Sequence, residues 1–325
     1  MHKRIKKLSF RAGGAALLAA LALTVNYFGQ TPEPPSTPTI QPTAQVTKQP
    51  TTQPILTPTS ADGQMEVHFI DVGQGDSILI KDNSHAMLID AGENNQGETV
   101  VNYLKKENVK ELDYVIATHP HSDHIGGMDT VIQNIKIDQV ILPKVAHNTK
   151  TYEDVLNAIQ NKNITVKQPK VGDNYTLGKA HFIILSPSST SYEEMNNYSV
   201  GIKITLGKIS FVMAGDAEKL SEKEMTQTGI DLSADVLKLS HHGAANGIND
   251  DFYNAVNPKY AVISVGKNND YNHPSSKVVK AMIKRGITIF RTDVQGSIVF
   301  QTDGTNLTEN VTPYIITKDD LNKGN

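Results

Sequence analysis

The fold and chemistry of this 325-residue chain can be worked out from residues 118–127, which read Thr118-His119-Pro120-His121-Ser122-Asp123-His124-Ile125-Gly126-Gly127. Four metal-binding side chains fall within six positions, and imidazoles combined with a carboxylate suit zinc and neighbouring first-row metals. The spacing predicts that His119 and His121 bind one ion while Asp123 and His124 bind a second. Because the segment follows the apolar run 114–118, we expect it to lie on the loop that leaves a buried strand.

Two later segments supply the ligands that this loop lacks. Asp216 ends the apolar strand pattern 209–215, and its carboxylate is the expected bridge between the ions. His242 ends a third strand pattern, 235–240, and is expected to bind the second ion. His241 stands beside it, and the spacing leaves open whether His241 is the ligand instead or a donor to substrate oxygens. Two ions about 3.5–4 Å apart stabilise the attacking and leaving oxygens of a displacement, so hydrolysis is the expected reaction, with Asp123 counted among the catalytic residues.

Four other residues are candidates for substrate binding or for support of the ligands. Asp71 and Asp76 flank a glycine turn, where they either cap the turn or belong to a loop that lines the site. Asp90 ends a buried strand, a position from which a carboxylate orients a ligand histidine. His273 follows the strand pattern 260–265; it is either a catalytic acid of near-neutral pKa that protonates the leaving oxygen or an ordinary loop residue.

Three isolated residues are assigned no role in the site. Lys238 and Arg291 are expected to be surface charges rather than phosphate ligands. His181 lies in the alternating strand pattern 180–185, and a surface or packing role is expected for it.

Hydrophobic patterning predicts a mixed α/β domain but does not give the strand order. Strands are predicted at 66–71, 77–81, 86–90, 113–118, 138–142, 164–167, 180–185, 200–206, 208–214, 235–240, 260–265, 287–291 and 297–301. Helices are predicted at 98–106, 151–160, 217–228 and 275–285.

Eight segments follow one another in a recognisable order: 67–76, 88–92, 118–127, 196–200, 213–216, 237–243, 272–275 and 291–296. Together they resemble the metallo-β-lactamase superfamily, and in particular its ComEC-like hydrolase branch. The resemblance implies an αββα sandwich, in which two mixed sheets face each other and are covered by helices. It also implies two divalent ions and a metal-dependent phosphodiesterase or nuclease activity.

One ligand departs from the superfamily pattern. Superfamily enzymes supply a further histidine to the first ion from a loop before the bridging aspartate, whereas no histidine lies between His181 and Asp216. The ComEC-like pattern implies that Asn197 takes that place, within the segment that also contains Ser199. Because a site with more oxygen and less nitrogen suits Mn²⁺ better, both Zn²⁺ and Mn²⁺ are candidate ions.

The amino-terminal residues predict export. Five basic residues precede the apolar run 12–25, so residues 1–29 are predicted to be a signal peptide or a membrane anchor, and both alternatives stay open. Residues 30–62 are rich in Pro, Thr and Gln and predict a disordered linker. The hydrolase domain is predicted at 63–313, followed by a tail at 314–325. The positive-inside rule places the domain outside the cytoplasmic membrane, whether secreted or anchored.

Charge limits the choice of substrate. Residues 61–325 hold 25 basic and 33 acidic side chains, a net charge of −8, which attracts nucleic acid poorly unless bound ions offset it locally. The preferred function is a phosphodiesterase or nuclease acting on DNA. A cell-envelope phosphodiesterase, resembling the phosphorylcholine esterase of teichoic acids, and a non-catalytic metal-binding module are the alternatives. The absence of cysteine excludes disulfides and thiolate ligands.

Overall fold

The computed structural model describes residues 64–247 and 249–322. The predicted export signal and linker lie outside these residues. Within the described ranges, no helix combines the length and the apolar character needed to cross a bilayer.

The first sheet contains eight strands in the order β15-β14-β1-β2-β3-β4-β5-β6. These are β1 (Met65–Phe69), β2 (Ile78–Asp82), β3 (His85–Ile89), β4 (Glu111–Ile116), β5 (Lys136–Ile141) and β6 (Thr165–Lys167), with β14 (Ile298–Thr302) and β15 (Leu307–Glu309) from the end of the chain. Strands β3 to β6 are parallel, so the loops that leave β3 and β4 lie at the same edge.

The second sheet contains seven strands in the order β13-β12-β11-β10-β9-β8-β7. These are β7 (Asn174–Leu177), β8 (Ala180–Ser186), β9 (Gly201–Leu206), β10 (Ile209–Met213), β11 (Val236–Lys238), β12 (Tyr260–Ile263) and β13 (Thr288–Arg291). Strands β10 to β13 are parallel. Their shared carboxyl edge therefore carries Asp216, the His241-His242 pair and His273.

Helices cover the outer face of each sheet. The first group is α1 (Gly97–Lys106), α2 (Ser122–Ile125), α3 (Met128–Asn134) and α4 (Lys150–Asn161), and the second is α5 (Lys219–Gln227), α6 (Asp250–Val256), α7 (Ser276–Lys284), α8 (Thr292–Gln295) and α9 (Lys318–Asn322). In α1 the buried residues Val100, Val101 and Leu104 form the apolar stripe that packs on the sheet. Short 3₁₀ turns occupy Met195–Tyr198, Ser240–Gly243 and Ala245–Gly247.

Three hydrophobic cores hold these layers together, one between the sheets and one under each group of helices. Strand β10 contributes to two of them. Phe211 and Met213 pack between the sheets, while Val212 and Ala214 pack toward the helices. A strand buried on both faces is apolar throughout, and each such large side chain contributes about 1.5–3 kcal/mol on burial. The two-sheet mixed α/β prediction is confirmed.

The end of the domain differs from the prediction. Tyr314 and Leu321 pack against the second helical core, so the described part of the predicted tail belongs to the domain. Arg291, expected on the surface, is 3% exposed. Its guanidinium pairs with Asp293 at 2.7 Å and with Asp320 of α9, because a buried cation requires compensating carboxylates.

Candidate metal centre

Four buried residues converge where the carboxyl edges of the two sheets meet. Asp76, His124, Asp216 and His242 each direct one donor atom to a region in which all these atoms lie within 4.8 Å of one another. We call these residues the four-residue cluster. Their loops follow parallel strands in both sheets or, for Asp76, the turn between β1 and β2. The cluster thus joins the two halves of the domain.

Asp90 fixes the orientation of His124. One carboxylate oxygen of Asp90 lies 2.8 Å from Nδ1 of His124, and the same carboxylate accepts hydrogen bonds from the backbone N–H and the hydroxyl of Thr118. Nε2 of His124 consequently faces Oδ1 of Asp216 at 3.2 Å. This is the orienting position that the sequence predicts for Asp90.

The His241-His242 pair follows β11 in a turn where both residues have positive φ, 51° and 53°. Non-glycine residues adopt this conformation rarely, and such backbone is concentrated at functional sites. Nδ1 of His242 donates to the carbonyl of Ser264 at 3.0 Å, which leaves Nε2 3.2 Å from Asp123 and 3.3 Å from Asp216. His241 is more exposed and lies 3.8 Å from Asp216. The geometry favours His242 as the ligand of the pair.

His119 and His121 form a second group of nitrogen donors beside the cluster. Nε2 of His119 lies 3.1 Å from Nδ1 of His121, and the rings of His119 and His124 are 4.2 Å apart between centroids. The Nδ1 atom of His119 is near the hydroxyls of Thr118, at 3.1 Å, and Ser199, at 3.3 Å. Ser199 also accepts from the backbone N–H of Asp216. Ser199 therefore connects the first group of donors to the predicted bridge.

The prediction for Asn197 is wrong. Its side-chain oxygen accepts from the backbone N–H groups of Glu218 and Ser221, both at 3.2 Å, so it caps the start of α5. The neighbouring Asn196 borders the cavity instead, and its buried Oδ1 has no hydrogen-bond partner among the described residues. Its amide nitrogen donates to Glu218 at 3.0 Å, so the oxygen of Asn196 is the amide oxygen of this segment that is left free beside the cavity.

Lys238 is not a surface charge. Its side chain is fully buried, its ammonium group forms an ion pair with Asp76, and it lies 3.9 Å from Asp216. It also donates to the carbonyl of Gly215 at 3.3 Å. No local pattern indicates this role, because burial of a charge depends on a partner that lies far away in the chain. Lys238 places a fixed positive charge against the carboxylates of the cluster.

Asp71 does not join the cluster. It is exposed, and its carboxylate accepts from the backbone N–H of Gly73 at 3.1 Å. Asp71 therefore caps the glycine turn, while Asp76 at the other end of that turn is buried in the cluster. Gln74, between them, borders the cavity.

The electrostatics of the cluster are dominated by pairing between imidazoles and carboxylates. Burial alone would raise the pKa of Asp216, but His124 and His242 outweigh it and lower the pKa well below its usual range. Burial alone would lower the pKa of His124 and His242, but Asp216 and the adjacent carboxylates raise both well above the usual range. Without metal, the two imidazoles are thus cationic and supply the positive charge that offsets the carboxylates.

The donor set fits divalent metal ions. Nε2 of His124 and Oδ1 of Asp216, Asp76 and Asn196 are buried and form no well-aligned hydrogen bond among the described residues, although Nε2 of His124 and Oδ1 of Asp216 lie 3.2 Å apart as an ion pair. Buried polar atoms are otherwise almost always paired, so these orphans indicate a missing partner. Nitrogen and oxygen donors without thiolate suit zinc, manganese and related first-row ions. The centre can therefore hold divalent metal.

A cavity of about 370 Å³ opens beside the cluster. His273, for which the sequence leaves a catalytic or a plain loop role open, lies in its wall, and its pKa departs from the near-neutral value expected of a catalytic acid. Burial, together with the imidazoles of His242 and His241, lowers the pKa of His273 to about 4. The side chain is neutral at pH 7, so it can donate an N–H hydrogen bond but does not carry a proton to release.

Metal uptake is expected to release protons. Only neutral imidazoles bind metal, whereas His124 and His242 hold protons in the metal-free protein because their pKa is raised. The apparent affinity should rise about tenfold per pH unit for each proton displaced, until the pH exceeds the raised pKa. Titration calorimetry between about pH 6 and pH 8, in buffers of different ionisation enthalpy, measures this release. An affinity independent of pH would contradict it.

Comparison with known proteins agrees with this geometry. The profile of the metallo-beta-lactamase superfamily matches residues 70–267. ComE operon protein 3 of Bacillus subtilis is 32% identical, covering 73% of this chain and 33% of that protein. Competence protein ComA of Neisseria gonorrhoeae is 29% identical, covering 71% and 31%. The chain thus spans about a third of the length of these relatives.

A solved structure shares the fold. A mutant of CmlA beta-hydroxylase superimposes with a TM-score of 0.52 at 14% identity, covering 73% of this chain and 54% of that one. This likeness concerns the fold alone. Since the superfamily profile matches more than half of the chain and the curated relatives match over the same region, the chain belongs to the metallo-β-lactamase superfamily, in its ComEC-like branch.

Proposed function

We propose that this chain is a binuclear metal-dependent phosphodiesterase that acts outside the cytoplasmic membrane on DNA. The observation that carries the proposal is the convergence of imidazole and carboxylate donors from both sheets beside an open cavity. A purely structural cluster would have its buried polar atoms hydrogen-bonded, whereas four of these atoms form no well-aligned hydrogen bond among the described residues.

The residues divide into two ligand groups and a bridge. His119, His121 and the Oδ1 atom of Asn196 would hold the first ion. Asp123, His124 and His242 would hold the second, and Asp216 lies between the groups. When bound, such ions supply a nucleophile at neutral pH and offset charge on phosphoryl oxygens.

The remaining residues orient the metal-binding side chains and position the substrate. Asp90 and the carbonyl of Ser264 hold the imidazoles of His124 and His242 so that each Nε2 faces the centre. Lys238 keeps Asp76 in the wall of the cluster. His273, neutral at pH 7, is proposed to donate a hydrogen bond to a phosphoryl or leaving oxygen. This role replaces that of a general acid, because a group with a pKa of about 4 holds almost no proton to give at neutral pH.

The choice of DNA rests on the relatives and on the departures from the β-lactamase pattern. The relatives include ComE operon protein 3 and Competence protein ComA. A third relative is Recombination protein 2 of Haemophilus influenzae, which is 27% identical over 72% of this chain. A net charge of −8 means that ions at the centre must supply much of the local attraction for phosphate. The location outside the membrane rests on the basic and apolar pattern of residues 1–29.

Hydrolysis assays test this function. The purified chain, loaded with Mn²⁺ or Zn²⁺, is incubated with bis(p-nitrophenyl) phosphate, single-stranded DNA and a choline phosphodiester. We expect turnover of the first two substrates, lost with a chelator and restored by metal. Turnover of the choline phosphodiester alone would favour the cell-envelope function. Bound metal without any turnover would contradict catalysis. Elemental analysis of the purified chain identifies the ion.

His273→Ala is expected to lower kcat on the order of 10²-fold, because one hydrogen-bond donor to a developing charge is lost. Metal content should stay at the wild-type value, since the other donors are unchanged. Steady-state kinetics combined with elemental analysis measures both quantities. A reduced metal stoichiometry would instead make His273 a ligand.

A further inference from the structure

An exposed aromatic ring stands at the mouth of the cavity. Tyr271 is 66% exposed, although large aromatic side chains usually bury most of their surface. It borders the same cavity as the metal-binding residues. Among the described residues, every other ring in that cavity wall belongs to a histidine. Within residues 64–247 and 249–322, Tyr271 is therefore the one large aromatic surface other than histidine that a ligand in this cavity can meet.

The Tyr271 ring is connected to the metal centre by stacked rings. It stacks on His273, with centroids 5.6 Å apart and planes 25° from parallel. His273 in turn lies 6.5 Å from His242, at 30°. Three roughly parallel rings thus lead from the surface to the four-residue cluster. A flat group placed on the free face of Tyr271 would lie next to whatever the centre binds.

The backbone under Tyr271 is fixed by Asn269. The side-chain oxygen of Asn269 accepts from the N–H groups of Tyr271 at 3.2 Å and His273 at 2.9 Å. Its amide nitrogen donates to the carbonyls of Gly266 and His273. A group that is already held in place costs less entropy when it binds a ligand. The ring is thus presented to the cavity on a constrained loop.

Gln74 joins this loop to the first sheet. Its Oε1 accepts from the N–H of Gly266 at 3.1 Å, while its buried Nε2 has no hydrogen-bond partner among the described residues. Gln74 also borders the cavity, so it links the loop that carries Tyr271 to the opposite wall of the same cavity.

We propose that Tyr271 is the stacking platform for a nucleobase next to the phosphodiester at the metal centre, so that the site selects nucleic acid with unpaired bases. The proposal rests on the proposed function and adds a specificity residue to it. Aromatic side chains stack on bases of any sequence, and a base inside a duplex does not offer its face. Stacking also supplies affinity that the acidic domain does not obtain from long-range charge.

A choline headgroup fits this arrangement less well. Quaternary ammonium groups are recognised by cages of several aromatic rings. Here one face of Tyr271 is covered by His273, and no second tyrosine, phenylalanine or tryptophan borders the cavity in the described part of the chain. A single free face is suited to one flat base.

Equilibrium binding tests the proposal separately from catalysis. The metal-loaded full chain is titrated with a fluorescent phosphorothioate oligothymidylate, which resists hydrolysis, and with an abasic oligomer of the same length and charge. The ratio of the two dissociation constants measures the contribution of the bases. We expect this ratio to fall by about tenfold in Tyr271→Ala, within the range that one stacked base contributes. Tyr271→Phe should keep the wild-type ratio.

Ile315→Ala is the matched control, since it removes another exposed apolar side chain, 83% exposed, and it should leave the ratio unchanged. An unchanged ratio in Tyr271→Ala, alongside wild-type hydrolysis of bis(p-nitrophenyl) phosphate, would overturn the stacking role and leave the phosphodiesterase function standing. If the ratio of dissociation constants fell in Tyr271→Ala but the wild-type chain hydrolysed no substrate, the stacking role would stand and the phosphodiesterase function would be contradicted. Displacement of the oligomer by a choline phosphodiester, lost in Tyr271→Ala, would also overturn the proposal.

Discussion

Asp216→Asn is expected to lower kcat/KM by on the order of 10³-fold or more. The carboxylate of Asp216 meets two proposed ligands of the second ion, His124 at 3.2 Å and His242 at 3.3 Å. Its backbone N–H donates to Ser199, whose hydroxyl lies 3.3 Å from His119 of the first group, so Asp216 is the proposed bridge between the two ions. Asparagine keeps the shape but loses the charge that holds divalent metal and offsets the ions' mutual repulsion. Elemental analysis should show fewer than two ions per chain.

The matched control for this variant is Asp138→Asn, which removes the charge of an exposed carboxylate on β5. It should keep wild-type kinetics and metal content. Circular dichroism checks that both variants are folded. If Asp216→Asn retained two ions and activity within tenfold of the wild type, the assignment of the centre would be wrong.

Lys238→Met is expected to lower the free energy of unfolding by about 3–5 kcal/mol, the cost of breaking a buried ion pair on one side. Lys238 is fully buried, and its loss leaves the carboxylate of Asp76 without its counter-charge. Burial would raise the pKa of Asp76, and Lys238 is the largest of the interactions that outweigh burial and lower it. Denaturant unfolding of the chelator-treated protein measures the effect without a contribution from metal binding.

A double variant separates the ion pair from simple loss of packing. Lys238→Met combined with Asp76→Asn removes both charges, so it should recover part of the stability that the single variant loses. Lys136→Met is the control, because this lysine pairs with Glu111 on the surface and its removal should change stability by less than about 1 kcal/mol. A double variant less stable than Lys238→Met would show that the pair is not the source of the effect.

The sequence predicts the centre well where apolar strands end in polar residues. Strand β10 is buried along its whole length, and the end of β4 is a buried apolar stretch at residues 115–116, so the points where these strands end are easy to locate. The proposed metal-binding residues come within a few positions after the ends of these strands. The hydrophobic pattern does not predict strands β7 and β15, because they are only four and three residues long and contain one buried residue between them.

Other features depend on contacts that no local pattern encodes. Asn196 and Asn197 have the same side chain, and only the 3₁₀ turn determines which of them caps α5 and which borders the cavity. Residue type predicts a surface position for Lys238 because lysine is rarely buried, whereas its partner Asp76 comes from the turn between β1 and β2 of the other sheet. Tyr271 directly precedes the segment 272–275, but nothing in the surrounding sequence indicates that its side chain is exposed.

The pairing of β14 with β1 has a consequence for how the chain acquires its structure. β1 is the first described strand, yet one of its two neighbours is formed by residues 298–302. An amino-terminal fragment that stops before these residues leaves the backbone N–H and C=O groups along one side of β1 without a partner, a surface open to intermolecular pairing. Completion of the first sheet therefore waits for nearly the whole polypeptide, and such long-range closure is typical of slow folding.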